Sequence, residues 1–363
     1  MSDPFSREFV YPTEARRIVF GPGTLKHLRR EVELLGASRA LVLSTPEQSA
    51  DARRVENLLG ENAAGVFAEA VMHVPIETAR AARAAADQRK ADCIVAIGGG
   101  STTGLAKAIA LESTLPIIAI PTTYAGSEVT PIYGLTQGGM KRTGKDPRVL
   151  PRTVIYDPEL TLGLPALLTT TSAINAIAHA AEGLYAKDSN PVINLFAAEG
   201  IRAFAAALPV LRRDPRNLDA RSEALYGAWL CGTVLGTVGM SLHHKLCHTL
   251  GGSFNLPHAE VHTVILPHAM AYNASAAPLA MTQIARALGA RSASEGLYEL
   301  ARTQGAPYAL RDIGMQEADL DRAAELAASN PYWNPRPVER SAIRVLLQHA
   351  YEGIRPAAVE EAA

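Results

Sequence analysis

The chain has 363 residues, 48% hydrophobic and 20% charged, with a formal net charge of −1. That length suits about two domains, and that composition supplies large buried cores and argues against disorder. The near-neutral balance and the lack of a long basic run argue against a nucleic-acid surface. Cys93, Cys231 and Cys247 are too few and too irregularly spaced for a disulfide framework, which fits reduced thiols in a cytoplasmic protein.

The start, "MSDPFSREFVYPTEARR", is polar, so no signal peptide is expected, and no membrane span is expected either. "RALVLS" (39–44) predicts a strand, "ETARAARAAADQRKA" (77–91) a helix, and "DCIVAIGGGS" (92–101) a buried strand ending in glycines. "TGLAKAIALES" predicts the next helix and "LPIIAIPTT" (115–123) the next strand. Strand, helix, strand at this spacing predicts parallel βαβ units. Residues 134–157 predict a hairpin before a last strand, "TVIYD". After Pro158 the pattern becomes helical: 165–186, 191–213, one long helix over 220–250, and 276–289. The predicted boundary lies near residue 160, between an α/β domain (1–160) and an all-helical domain (161–363).

Gly98, Gly99 and Gly100 stand between a buried strand and a helix start. Without Cβ atoms the backbone can approach a pyrophosphate, and the helix start offers free N–H groups. Ser101 is placed to cap that helix and to reach a phosphate. A tight βα turn alone would also explain the glycines. The next strand, however, ends in "PTTYAGSEVT", with Thr122, Thr123 and Ser127 at the same sheet edge, where ligands of parallel sheets sit. At the end of the first predicted strand, Ser44, Thr45 and Pro46 replace the usual ribose-binding acid. NADH is therefore expected, with tolerance of NADPH.

Six of the ten histidines fall between His243 and His268. His244 and His248 are four apart and share a helix face, as do Asn175 and His179 upstream. Gly251 and Gly252 are expected to end the later helix, so that a loop returns His258 toward it. His243, His262 and His268 read as structural or pocket-lining; His27, His73 and His349 read as surface residues.

"GGGSTTGLAK", "PTTYAGSEVT", "NAIAHAAE", "HKLCHTLGGSFNLPH" and "NPRP" resemble, in order and over almost the whole chain, the iron-containing (group III) alcohol dehydrogenase family. The resemblance implies a dehydroquinate synthase-like fold: an N-terminal dinucleotide-binding α/β domain with a parallel sheet, an all-α C-terminal domain, and an active site in the cleft between them. It implies cofactor contacts from Gly98, Gly99, Gly100, Ser101, Thr122, Thr123 and Ser127, and from Lys141 at the nicotinamide ribose; Ser44 joins them from the strand-end reading. The family's metal ligands, one Asp and three His, fall on Asn175, His179, His244 and His258, and its catalytic histidine on His248. A homodimer is also implied.

Two departures stand out. Asn175 replaces the metal-binding Asp, and Gly104 the Asp that follows the glycine loop. Without an anionic ligand, and with Lys245 close by, a weak or absent metal is expected; any metal would rest on His179, His244 and His258. With "HHKLCH" and "NPYWNPRPV", these departures are similar to the branch of the family that reduces maleylacetate to 3-oxoadipate in bacterial breakdown of aromatic compounds. A conjugate reduction can rely on donors aimed at an enolate oxygen. The expected parts are Lys245 with the imidazoles as those donors, and His248 or His244 as the acid. Asn175, His179, His258, His243, Tyr124 and Arg336 are expected at the dicarboxylate. The alternatives are a metal-dependent alcohol or polyol dehydrogenase and a non-catalytic nucleotide-binding protein.

Overall fold

The structure is a computed structural model; it describes residues 11, 16–138 and 140–356, without the side chains of Met140 and Lys141. The chain divides into two compact units.

One unit covers residues 13–164 and 216–225. Its strands are β1 (Arg17–Phe20), β2 (Ala40–Leu43), β3 (Ala63–Phe67), β4 (Cys93–Gly98), β5 (Ile117–Pro121), β6 (Ile132–Gln137), β7 (Met140–Lys145) and β8 (Thr153–Tyr156). Six form a parallel sheet in the order β1-β8-β5-β4-β2-β3, while β6 and β7 form the expected antiparallel hairpin. Four helices connect them: α1 (Leu28–Leu34), α2 (Ser49–Leu59), α3 (Ile76–Gln88) and α4 (Gly100–Ser113). Alternate strand residues face opposite ways. Leu41, Leu43, Ile94 and Ala96 pack with α3 and α4. Val42, Val95 and Ile97 pack with α1 and α2. Both faces are covered, which is why β4 reads as an unbroken apolar run.

From β2 the chain steps outward to β3, and from β4 it steps the other way to β5. The ends of β2 and β4 therefore flank the point where strand order reverses, the place where such sheets bind ligands.

The other unit is helical and holds residues 11, 165–215 and 226–356 of the described chain. Its helices are α5 (Ala166–Gly183), α6 (Pro191–Arg213), α7 (Leu218–Thr237), α8 (Leu242–Phe254), α9 (His258–Asn273), α10 (Pro278–Leu288), α11 (Ala293–Thr303), α12 (Leu320–Ser329) and α13 (Arg340–Glu352). Residues 216–225, which include the start of α7, group with the sheet unit. There Arg221, wholly buried, donates to the Tyr124 hydroxyl (3.1 Å) and the Leu164 carbonyl (3.2 Å).

Three expectations are corrected. The helix expected over 220–250 breaks after Thr237, and α8 leaves α7 at 94°. Gly251 and Gly252 lie inside the last turn of α8, which ends instead at Asn255 in the left-handed region (φ 55°). His258 opens a helix rather than sitting in a loop. Among the described residues one helix, α6, passes for a membrane span by length and composition, although Glu199 and Arg202 interrupt its apolar run. Only 44% of its apolar window is buried, and Glu199 and Arg202 pair on its surface. All three cysteines are buried thiols; burial pushes Cys93 up to about 12 and Cys231 and Cys247 upward as well.

Candidate active site

At the end of β4, Gly98 has φ 150°, and a Cβ there would lie 2.5 Å from Thr102 Oγ1. Only glycine fits that turn. A Cβ on Gly99 would press on Thr123 at 3.1 Å, so this loop touches the one after β5 directly. Gly100 is exposed and opens α4, whose first turn has no side-chain cap. The cap is Gly99, so Ser101 lies inside the helix and does not cap it as expected. The uncapped N–H groups, and Thr102 Oγ1, buried without a partner, suit an anion at this end.

Thr122 is held by its main-chain N–H to the Gly98 carbonyl (3.1 Å) and by its hydroxyl, which accepts from Gln48 Nε2 (3.0 Å). Ser127 starts a short 3-10 turn after Gly126 (φ 79°). Ser44 is wholly buried and its hydroxyl donates to the Thr45 carbonyl, so it is turned away from a ligand. Gln48 and the exposed Glu47 stand at the end of β2 instead; the Glu47 carboxylate is held down by its own N–H and the Thr45 hydroxyl. That edge is thus not free of negative charge, as its first three residues suggested. The Lys141 side chain lies outside the described residues.

In the helical unit, α5, α8 and α9 bring six imidazoles together. His179 stacks on His244 at 5.0 Å between ring centroids. His244 lies 5.0 Å from His262 and 6.1 Å from His248; His258 lies 4.5 Å from His262. His179, His244 and His262 are buried, while His248 and His258 are exposed. Asn175 Oδ1, His179 Nδ1, His244 Nε2 and His262 Nε2 are buried without protein partners, so this array offers polar atoms to a bound molecule. At its exposed side, Tyr332 Oη meets His248 Nδ1 at 3.0 Å, and the half-buried Lys245 puts Nζ 5.8 Å from the Tyr332 ring.

Glu182, seven residues after Asn175 on α5 and wholly buried, anchors the array. It accepts from the main-chain N–H groups of Ser241 and His243 (2.7 Å each), and Oε2 lies 2.7 Å from His244 Nδ1. Burial pushes Glu182 up to about 7 against those hydrogen bonds. Burial and His258 push His244 down to about 3, and burial carries His179, His243 and His262 well down. These imidazoles are neutral at neutral pH. When Glu182 is ionised, His244 donates its Nδ1–H to it and presents the lone pair of Nε2.

The residues fit an iron or zinc ion poorly. Asn175 supplies no charge where the ligand set needs an anion. Among the described residues His243, Cys247 and His262 bring their ligand atoms within 4.8 Å of one another, and there His243 Nε2 and His262 Nδ1 bond to each other at 2.9 Å. His243 is accordingly a buried brace for His262, not the substrate contact expected. Tyr124 is likewise buried, its hydroxyl taken by Arg221. Arg336 stacks on Tyr272 (4.1 Å) and donates to the Tyr272 carbonyl, ten residues, or about 15 Å of helix, from His262. Sequence reasoning missed Glu182, Tyr332 and Gln48 and read His262 as a lone residue. Glu182 is three residues after His179 and His262 four after His258, a helical spacing visible only once 258–273 is read as a helix.

The pattern described as "Iron-containing alcohol dehydrogenase" matches residues 15–158, and that of "Fe-containing alcohol dehydrogenase family, C-terminal" matches 169–351. The chain is 66% identical to the maleylacetate reductase of Burkholderia cepacia, over 96% of this chain and 99% of that one. A crystal structure of maleylacetate reductase from Agrobacterium tumefaciens is similar at TM-score 0.95 and 56% identity, covering 97% of this chain and all of that one. An iron-containing alcohol dehydrogenase from Corynebacterium glutamicum superposes at TM-score 0.93 and 43% identity, covering 97% and 99%. With a parallel-sheet unit, a helical unit and both halves of the pattern present, the chain belongs to the iron-containing alcohol dehydrogenase family and is an NAD(P)H-dependent oxidoreductase.

Proposed function

We propose that the chain reduces the carbon–carbon double bond of maleylacetate, giving 3-oxoadipate, without a metal and in a cytoplasmic homodimer. The observation that carries this reading is the donor set: buried neutral imidazoles and an amide, Asn175, where a metal would need a carboxylate. The names of the relatives support the substrate. A bound NADH or NADPH would supply the hydride for the alkene carbon β to the ketone. Charge then develops on the ketone oxygen. Lys245 and the N–H groups of His179 and His262 are the donors that stabilise it. His244, its Nε2 an acceptor, orients the substrate and is not the acid. His248, exposed and held by Tyr332, gives the α carbon its proton. Gly98–Ser101, Thr122, Thr123 and Ser127 hold the cofactor.

The test follows NADH consumption by chelator-treated protein with maleylacetate and with a simple aldehyde. Turnover of maleylacetate alone, unchanged by chelation, is expected. Activity lost on chelation and restored by iron or zinc would favour instead a metal-dependent alcohol dehydrogenase built on His179, His244 and His258.

A further inference from the structure

Lys107 lies two turns into α4 and is wholly buried. Its Nζ donates to the carbonyls of Ser127 (2.6 Å), Ile132 (2.7 Å) and Thr130 (2.8 Å), and meets Thr130 Oγ1 at 3.0 Å. Four oxygens surround it as they would a small cation. The Thr130 hydroxyl in turn donates to the Ser127 carbonyl and accepts from the Ile132 N–H. One amine therefore grips both ends of the 127–132 segment from the helix that starts at Gly100.

The segments it ties include parts of the cofactor site. On the proposed cofactor assignment, the start of α4 would face the pyrophosphate; Ser127 belongs to the loop after β5, and Ile132 begins the hairpin that follows it. Burial pushes the ammonium down to about 7, although the buried Glu128, bonded by the Tyr156 hydroxyl, draws it up; Arg16, which donates to the Val129 carbonyl, opposes it. The oxygen shell offsets the cost of burying the cation, and the same bonds fix the positions of the carbonyls that it ties.

We propose that Lys107 is a positioning residue that sets the spacing of these three segments, so that loosening its oxygen shell weakens NADH binding while leaving hydride transfer intact. This rests on the assignment of the α4 start and the Ser127 loop to the cofactor.

Lys107→Met removes the donor shared by three carbonyls, of which that of Ser127 keeps the Thr130 N–H and hydroxyl, and endangers folding. Thr130→Val removes one oxygen of the shell and keeps every carbonyl. Gly100→Ala tests the assignment itself, since its methyl would meet only Ala125 at 3.8 Å and the fold accommodates it. NADH titration by fluorescence, steady-state kinetics and thermal unfolding are measured on each. Thr130→Val is expected to raise the Kd and KM for NADH roughly fivefold, and a folded Lys107→Met more than roughly tenfold, with kcat at saturating NADH nearly unchanged. A lower melting temperature in Thr130→Val with an unchanged Kd for NADH would overturn the inference, whether or not Lys107→Met folds. Unchanged NADH affinity in Gly100→Ala would overturn the assignment, and the inference with it. Weakened binding in Gly100→Ala alone would overturn only the inference.

Discussion

Two main-chain N–H groups, the Tyr185 hydroxyl and one imidazole converge on the Glu182 carboxylate, whose ionised form accepts from all four. That choice fixes the proton of His244 on Nδ1 and leaves Nε2 as an acceptor within the array. Glu182→Gln would set an amide N–H against a donor and remove the preference between the two ring tautomers. By analogy with other carboxylate-oriented histidines, kcat should fall by roughly 10²-fold or more with NADH affinity unchanged. A variant with the parent kcat would show that Glu182 serves the fold alone. Asn175 was legible as a departure because its position within a motif was known. Glu182 was not, because nothing in the one-letter string says that a carboxylate on a helix will meet the start of another helix about sixty residues later.

Elements were legible where their period was simple. The buried strands β2, β4, β5 and β8 are short apolar runs, and α3 and α4 follow from their alanine-rich composition. The break between α7 and α8 was not, because the apolar residues on both sides keep a helical pattern through it. The close approach of α6 to α7 was hidden for a related reason: it depends on Gly200 and Gly227, which read only as poor helix formers. A Cβ on Gly200 would lie 2.6 Å from Cys231 Sγ, and the Gly227 carbonyl stands at 3.4 Å. Gly200→Ala should therefore cost about 1–3 kcal/mol through overpacking. Gly252→Ala, in α8 with nothing near its Cβ, should gain up to about 1 kcal/mol. Denaturant midpoints check both. Equal shifts in the two variants would mean that helix propensity, not packing, governs these positions.

Across the whole molecule, buried imidazoles should dominate the response to acid. His268 is pushed from 6.5 down to about 4 by burial and by His349. The unfolded chain binds its proton below about pH 6.5, and the folded chain does not until about pH 4. Stability is therefore lost as pH falls through that window, by about 3 kcal/mol for this group alone. His179, His243, His244 and His262 act in the same direction. Glu128 and Glu182, raised by burial, act in the opposite one. The melting temperature should fall steadily from pH 6.5 to pH 4, and His268→Gln should flatten part of that slope. A melting temperature that holds or rises toward pH 4 would mean the carboxylates outweigh the imidazoles. The three thiols give the same molecule a built-in clock. Cys93 lies in the central strand of one unit, and Cys231 and Cys247 on two helices of the other, each shielded from alkylating reagents until its surroundings part. The order in which they become modified would then read out which half of the chain opens first.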